Sequence, residues 1–328
     1  MKLKQTLLAV AALVASLVIQ PATAQTQGYP NKPIRFVVGF GAGSSIDSVA
    51  RIIGQYLTTK LGQPVVVENK TGANGMLAAT DVARSQPDGY TVLISNSSTI
   101  TVNPLLYKNM SYDPKKDFAP VSLIVSVPFI LTVNPQKAPV GSAPDLKAML
   151  DLAKAKPGGY SYGSAGVGNL TQLSFELLNG MAGVKMVHVP YRGSAPAQVA
   201  LLSGEVDAAL DNPSAVTKIK AGQLRALAVT SAQRWRDLPD VPTIAESGFP
   251  GFDISFWVGA LVPANTPAHV VNLLSETIAS AAKDPDVKAK LEQQGNIRML
   301  GPKQFAEQID KETAQYKEII IKSDIRLD

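Results

Sequence analysis

Residues 34–51 constrain the fold more than any other stretch. A β-branched, apolar run, Ile34–Val38, enters three glycines at alternate positions, Gly39, Gly41 and Gly43. The chain then turns into an amphipathic pattern with Val49, Ile52, Ile53, Tyr56 and Leu57 on one face. That succession reads as strand, loop and helix. A glycine loop lets the backbone approach a ligand, and a helix start leaves N–H groups without internal partners, so an anion fits there. Ser44 and Asp47 have capping-box spacing, so they close the helix start themselves, a role compatible with ligand contact.

The address comes from the first residues. Lys2 and Lys4 precede an apolar run over 7–19 and an A-x-A site at Ala22-Thr23-Ala24, which is the pattern of a cleavable secretory signal peptide over 1–24. The apolar run is shorter than the roughly 20 residues of a membrane-spanning helix, and no later run approaches that length. The expectation is a soluble periplasmic protein. The chain of 328 residues has no cysteine, so neither disulfides nor a lipid-modified cysteine are available. Without Lys2 and Lys4 the balance is 29 basic to 26 acidic residues, net +3, with no basic block interleaved with aromatics, which argues against nucleic acid as a partner.

The remaining length favours two domains. Residues 64–69 read as a second strand, 75–85 as a helix and 90–95 as a third strand ending in the polar loop 96–99. Strands alternating with helices imply a parallel sheet with ligands beyond the strands' carboxyl ends. That places Phe40, Gly41, Ala42, Gly43, Ser44, Ser45 and Asp47 in one candidate loop, and Ser95, Asn96, Ser97 and Ser98 in another. Residues 118–133 form a long β-rich run, long enough to pass from one lobe to another.

Beyond it the pattern restarts. Ser142-Ala143-Pro144-Asp145 is a capping-box helix start, and a short strand near 160–162 runs into Gly163, Ser164, Ala165, Gly166, Val167, Gly168 and Asn169, followed by a helix. Next come a strand at 184–189, a loop holding Tyr191 and Arg192, a helix over 195–203, and a strand at 206–210 that delivers Asp211 and Asn212 to a loop. Residues 252–262 form a second long β-rich run, read as the return crossing. Helices starting at Thr266-Pro267, Asp284-Pro285 and Gly301-Pro302 then rejoin the first lobe. The expected organisation is a first lobe of 26–126 and 251–328 and a second of 127–250, with a hinge between them.

Two motifs suggest other chemistry. Residues 159–163 spell G-Y-S-Y-G, which would make a secreted ester hydrolase acting through Ser161 the alternative function; a nucleophile elbow, however, needs a strand before the serine and a helix directly after it. Gly39 and Gly41 with Glu68 resemble a dinucleotide fingerprint, but Ser44 occupies the third small position. The two histidines, His188 and His269, make no metal site at recognisable spacing. No cofactor is expected.

The opening stretch resembles that of the substrate-binding receptors of tripartite tricarboxylate transporters, the Bug family, which runs close to V-V-P-F-x-P-G-G-x-x-D-x-x-A-R. Phe40, Gly43, Asp47, Ala50 and Arg51 match. The likeness continues through V-N-P-L-L-Y at 102–107, Y-D-P at 112–114, Y-G-S-A-G at 162–166 with Gly168, V-P-Y-R-G at 189–193, Asp211-Asn212, L-R-A-L-A-V-T at 224–230 and P-D-V-P-T at 239–243. It spans essentially the whole mature chain. The resemblance implies an α/β, two-lobed type II periplasmic-binding-protein fold with two crossing strands and the ligand cleft between the lobes. It also implies a monomer that closes on a small carboxylate (a dicarboxylate, an acidic amino acid or an aromatic carboxylate) and presents it to the integral-membrane permease subunits. In the family, backbone amides, small hydroxyls and waters hold the carboxylate. Neither glycine loop here contains Lys or Arg, and Arg192 is the one cation placed near the cleft.

The departures concern the ligand. Gly39 replaces a usual proline, Ser44 and Ser45 stand where glycine or proline is common, Ile46 replaces a small hydroxyl residue, and Asn169 and Gln172 stand where Ser and His are frequent. Phe40, Tyr162, Phe256 and Trp257 could wall an aromatic ligand, although aromatics at crossing strands also serve as core.

Overall fold

The structure is a computed structural model that describes residues 28–322; the signal-peptide reading lies outside them. Strand β1 (Ile34–Val38) is buried along its length apart from Arg35, as a central parallel strand must be. It pairs in parallel with β2 (Val65–Asn69) and β3 (Thr91–Asn96). Helices α1 (Ser45–Leu61) and α2 (Met76–Ala83) make the crossovers. Strand β4 (Phe118–Pro128) and the returning β10 (Ser255–Pro263) add antiparallel, and β11 (Asn296–Leu300) closes the edge, giving the order β11-β4-β10-β3-β1-β2.

The chain leaves this sheet at Pro128 and enters the second at Ile130, so Phe129 is the outward crossing. The second sheet has the order β7-β6-β8-β5-β9, with β5 (Ile130–Val133), β6 (Ser161–Ser164), β7 (Val187–Pro190), β8 (Ala208–Asp211) and β9 (Arg225–Val229). Strand β6 runs parallel to β7 and β8, and β5 runs antiparallel to β8 and β9. Helices α3 (Leu146–Ala155), α4 (Leu170–Ala182) and α5 (Ser194–Ser203) belong to this half. Two α/β lobes therefore share two crossings.

After β10 the chain adds α6 (Ala268–Ser280), α7 (Pro285–Glu292) and α8 (Pro302–Lys322), which start at the three proline signals. Val37, Leu93, Trp257 and Phe305 meet in the first lobe's core, where Trp257 and Phe305 pack edge to face with centroids 4.8 Å apart. Leu201, Val206, Ala209 and Leu224 form a core in the second. Gly39 is required sterically, since a Cβ there would stand 2.7 Å from the Gly75 Cα. The start of α3 differs from expectation. Asp145, rather than Ser142, is its cap, accepting from the Ala148 N–H at 2.8 Å, and residues 140–142 form a separate 3-10 turn.

Candidate functional site

The turn from β1 into α1 is fixed by its own side chains. Ser44 Oγ accepts the Asp47 N–H at 3.3 Å, and Asp47 Oδ2 accepts the Gly43 N–H at 3.0 Å, so the box closes on Gly43. Gly43 takes φ +81°, a left-handed conformation that glycine adopts without a Cβ clash. The Asp47 carboxylate is also held by Arg51 at 2.9 and 3.0 Å and by Asn69 Nδ2 at 2.9 Å. Burial pushes its pKa up, but these hydrogen bonds and the Arg51 charge outweigh it and hold the carboxyl below its ordinary value. Asp47 is thus a structural anchor. With the Asp47 N–H capped, the first N–H groups of α1, on Ser45 and Ile46, face away from any acceptor of their own helix.

Between the lobes lies a narrow cavity of about 40 Å³, partly open to solvent. The first lobe contributes Phe40, Ser44, Ser45, Ile46, Asn96, Ser98 and Phe256, the crossing Phe129, and the second lobe Ala165, Asn169, Thr171, Ser194, Leu210 and Asn212. None of these residues is charged. Ser45 is 2% exposed, and its Oγ has no hydrogen-bond partner among the described residues. A buried hydroxyl left unpaired costs about 1–3 kcal/mol, a penalty that a ligand oxygen here would remove.

The remaining expected residues divide between two places. Gly41, Ala42, Gly166, Val167, Tyr191 and Arg192 line a wider outer groove that shares Phe40 and Ala165 with the cavity. Arg192 is exposed there, and Tyr191 donates its hydroxyl to Glu205 at 2.8 Å. The other group lies beneath the loops. Ser97 Oγ accepts the Trp257 N–H at 3.0 Å, Ser95 pairs with Gly259 inside the sheet, and Gly163 packs against Val206, Tyr191 and Ala197. Ser164 Oγ lies 2.6 Å from His188 Nε2. The second glycine loop keeps most of its amides for itself: Ala165 N–H donates to Thr171 Oγ1, Gly166 N–H to Ser164 Oγ and Gly168 N–H to Gln172 Oε1.

Asp211 points away from the cavity. Successive strand residues face opposite sides, so Leu210 lines the cleft, as does Asn212 just after the strand, while Asp211 turns to Thr132 at 2.6 Å and Gln198 at 3.2 Å. Burial pushes its carboxyl up to about 6. Two of the four candidate wall aromatics belong to cores. Tyr162 stacks on Phe175 at 4.0 Å with its hydroxyl on Glu176, and Trp257 donates its indole N–H to Glu312. Phe129, Ser194 and Thr171 were not among the expected site residues; Ser194 opens α5 after Gly193, the kind of signal that marked Ser44 and Ser45. Ser161, the serine of G-Y-S-Y-G, begins β6 and is bound to Asp207 at 3.2 Å, not placed on a strand-to-helix elbow.

A family model described as the tripartite tricarboxylate transporter family receptor matches residues 49–325. The chain belongs to this receptor family. Protein BugT of Bordetella pertussis (strain Tohama I) is 37% identical over 277 residues, covering 84% of this chain and 83% of that one. Among solved structures, R. palustris Rpa4515 with adipate is 33% identical, with TM-score 0.86 over 91% of this chain and 99% of that one. MatC (Rpa3494) from Rhodopseudomonas palustris with bound malate is 32% identical, with TM-score 0.81 over 89% and 100%. Members of this family are binding receptors, so the chain is a receptor and not an enzyme.

In this receptor the lobes touch across the cleft. Asn169 Nδ2 donates to Asn74 Oδ1 at 2.9 Å, Leu170 N–H to Ser98 Oγ at 3.2 Å, and the Tyr107 hydroxyl to the Val167 carbonyl at 3.4 Å. Asn74 is held at φ +51° between Ala73 at +46° and Gly75 at +83°. Among the described residues no helix is long and apolar enough to cross a membrane, and no group of three or more His, Cys, Asp or Glu side chains could hold a metal.

Proposed function

We propose that this receptor is a periplasmic monomer, exported by the signal peptide of residues 1–24, that captures a small carboxylate between its lobes and delivers it to the membrane permease subunits of a tripartite tricarboxylate transporter. The observation that carries the reading is Ser45. Its hydroxyl is buried and unpartnered at the start of a 17-residue helix, and the residue lines a cavity without charged walls. A helix N-terminus and hydroxyl donors match an anion's oxygens and discriminate against cations. The relatives with adipate and malate bind acids of the proposed kind. Ser44, Ser45, Asn96 and Ser98 would serve the ligand from the first lobe and Ser194 from the second, with Ala165, Asn169 and Thr171 shaping the wall.

Isothermal titration calorimetry with aliphatic, amino and aromatic acids should give at least one roughly micromolar isotherm, about −8 kcal/mol. Ser45→Ala should weaken it about tenfold without lowering the melting temperature, because the hydroxyl is bonded to nothing in the protein. Binding of neutral sugars or cations in place of every acid would overturn the proposal.

A further inference from the structure

The cavity is polar on one side and apolar on the other, and the geometry points to an aromatic monocarboxylate as its ligand. This rests on the carboxylate reading above and narrows it. The apolar side is made by Phe40, Ile46, Phe129, Leu210 and Phe256, drawn from both lobes and a crossing. Phe129 and Phe256 stack on each other with centroids 5.0 Å apart and planes 29° apart, a rigid apolar pair against which a ligand ring can pack edge to face. Ile46 occupies the second position of α1, next to the free Ser45 hydroxyl, so the body of a carboxylate held at this helix start meets a branched aliphatic group.

The polar side serves one carboxylate and little more. In the second lobe the lining groups are engaged with each other. Asn169 Oδ1 accepts from the Thr171 N–H and hydroxyl and its Nδ2 donates to Asn74; Asn212 donates to Ser194 Oγ at 2.9 Å and accepts the Ser214 N–H at 2.9 Å. In the first lobe Asn96 Oδ1 accepts from both the N–H and the hydroxyl of Thr99. No Lys, Arg or His lines the cavity, so a second carboxylate here would be partly desolvated without a counter-ion. An ammonium group fares no better. The acidic side chains beside these elements, Asp47 and Asp211, are bonded within the protein and do not line the cavity. Diacids and α-amino acids therefore pay a desolvation penalty here that a ring does not.

The test is calorimetry of the mature chain against benzoate, phenylacetate, adipate, malate and glutamate. Benzoate or phenylacetate should bind at least about tenfold more tightly than each of the other three, the discrimination a shaped apolar pocket gives. Ile46→Ser, on the first turn of a capped helix, and Phe256→Leu should each weaken the aromatic acid about tenfold while changing the best aliphatic acid much less. Tight adipate, malate or glutamate binding with weak aromatic binding overturns this inference and leaves the carboxylate receptor standing. Aromatic preference unmoved by both variants, each shown folded by its melting transition, overturns the assigned wall. Silence from all five acids in a folded protein counts against the inference and the carboxylate reading together, whereas binding of other carboxylic acids from the wider panel in that case overturns the inference alone.

Discussion

Gly39 and Gly43 sit four residues apart on one loop and are needed for different reasons. At Gly43 the backbone is left-handed at φ +81°, but nothing lies within 4 Å of an added Cβ. Alanine there is strained by roughly 1–2 kcal/mol and tilts the helix start that faces the cavity. At Gly39 the backbone is ordinary, but the Cβ would meet Gly75 Cα at 2.7 Å and its carbonyl oxygen at 3.2 Å, backbone that cannot rotate away. Gly39→Ala should therefore lower the melting temperature more than Gly43→Ala, while Gly43→Ala loses more ligand affinity per degree lost. Equal stability losses would show that the Gly75 loop moves aside. Glu312 gives a pH signature. Burial pushes its carboxyl up to about 7 although Gln308 and the Trp257 indole N–H favour the charged form, and Asp211 is raised in the same sense. A raised carboxyl binds more protons folded than unfolded, so its stabilisation is complete below the ordinary carboxyl range and is lost as pH rises through the folded value. Asp47 and Asp81, whose pKa values are lowered, act oppositely and only in more acidic solution. Through Glu312 and Asp211 the melting temperature should fall as pH rises from about 4 to about 7, while His188, whose pKa burial lowers, acts in the opposite sense. Glu312→Gln should flatten that fall and abolish the matching change in Trp257 fluorescence; an unchanged profile would assign the slope to other groups.

At the scale of elements, the Thr230 side chain reinforces the backbone bonds that tie the two crossings, Thr230 N–H to the Phe129 carbonyl and Ile254 N–H to the Thr230 carbonyl. Thr230 Oγ1 accepts the Phe129 N–H at 2.9 Å and donates to the Ile254 carbonyl at 2.6 Å, which joins the outgoing chain to the returning one. Thr230→Val keeps the shape but leaves that buried N–H unpaired, a loss of about 1–3 kcal/mol. Differential scanning calorimetry should show a clearly lower melting temperature for Thr230→Val and a near-normal one for Thr230→Ser; a Val variant as stable as wild type would mean that the crossings do not depend on this pin. The crossings were legible as long β-rich runs, and the α1 start as Ser44 followed by Asp47, because each rests on local pattern. Other features depend on what meets what in space. Asn296–Leu300 is an edge strand because β4 offers it a partner, and its sequence shows no clear alternation. Asp211 attracted notice as a charge at a strand end, whereas strand alternation gives the cavity face to Leu210, with Asn212 just after the strand. Phe129 reads as one apolar residue in a run of them until the strands diverge on either side of it.

At the scale of the molecule, the contacts across the cleft describe a closed arrangement that depends on few groups. Asn74 is the centre of it, since its Oδ1 accepts from Asn169 and its Nδ2 donates to Asn103 at 2.7 Å in its own lobe. Two consecutive non-glycine residues held left-handed, Ala73 and Asn74, carry strain of order 1–3 kcal/mol each unless surrounding contacts offset it. With a handful of hydrogen bonds, among them Asn74 Nδ2 to the Gly168 carbonyl at 3.5 Å, and two left-handed residues at the lobe contact, closure without ligand is finely balanced, and a ligand that joins both lobes tips it. We propose that the first lobe, over its described residues 32–126 and 251–322, moves as one body against the second, turning about Phe129 and the return crossing. Small-angle scattering should then show a smaller radius of gyration when the receptor is saturated with its tightest-binding acid. Asn74→Gly relieves the strain but removes the bridge, so the unliganded variant should be at least as expanded as wild type and should bind more weakly, with the ligand still producing compaction. A radius of gyration unchanged by a ligand whose binding calorimetry has established would mean that the lobes are closed beforehand and that Asn74 serves packing alone.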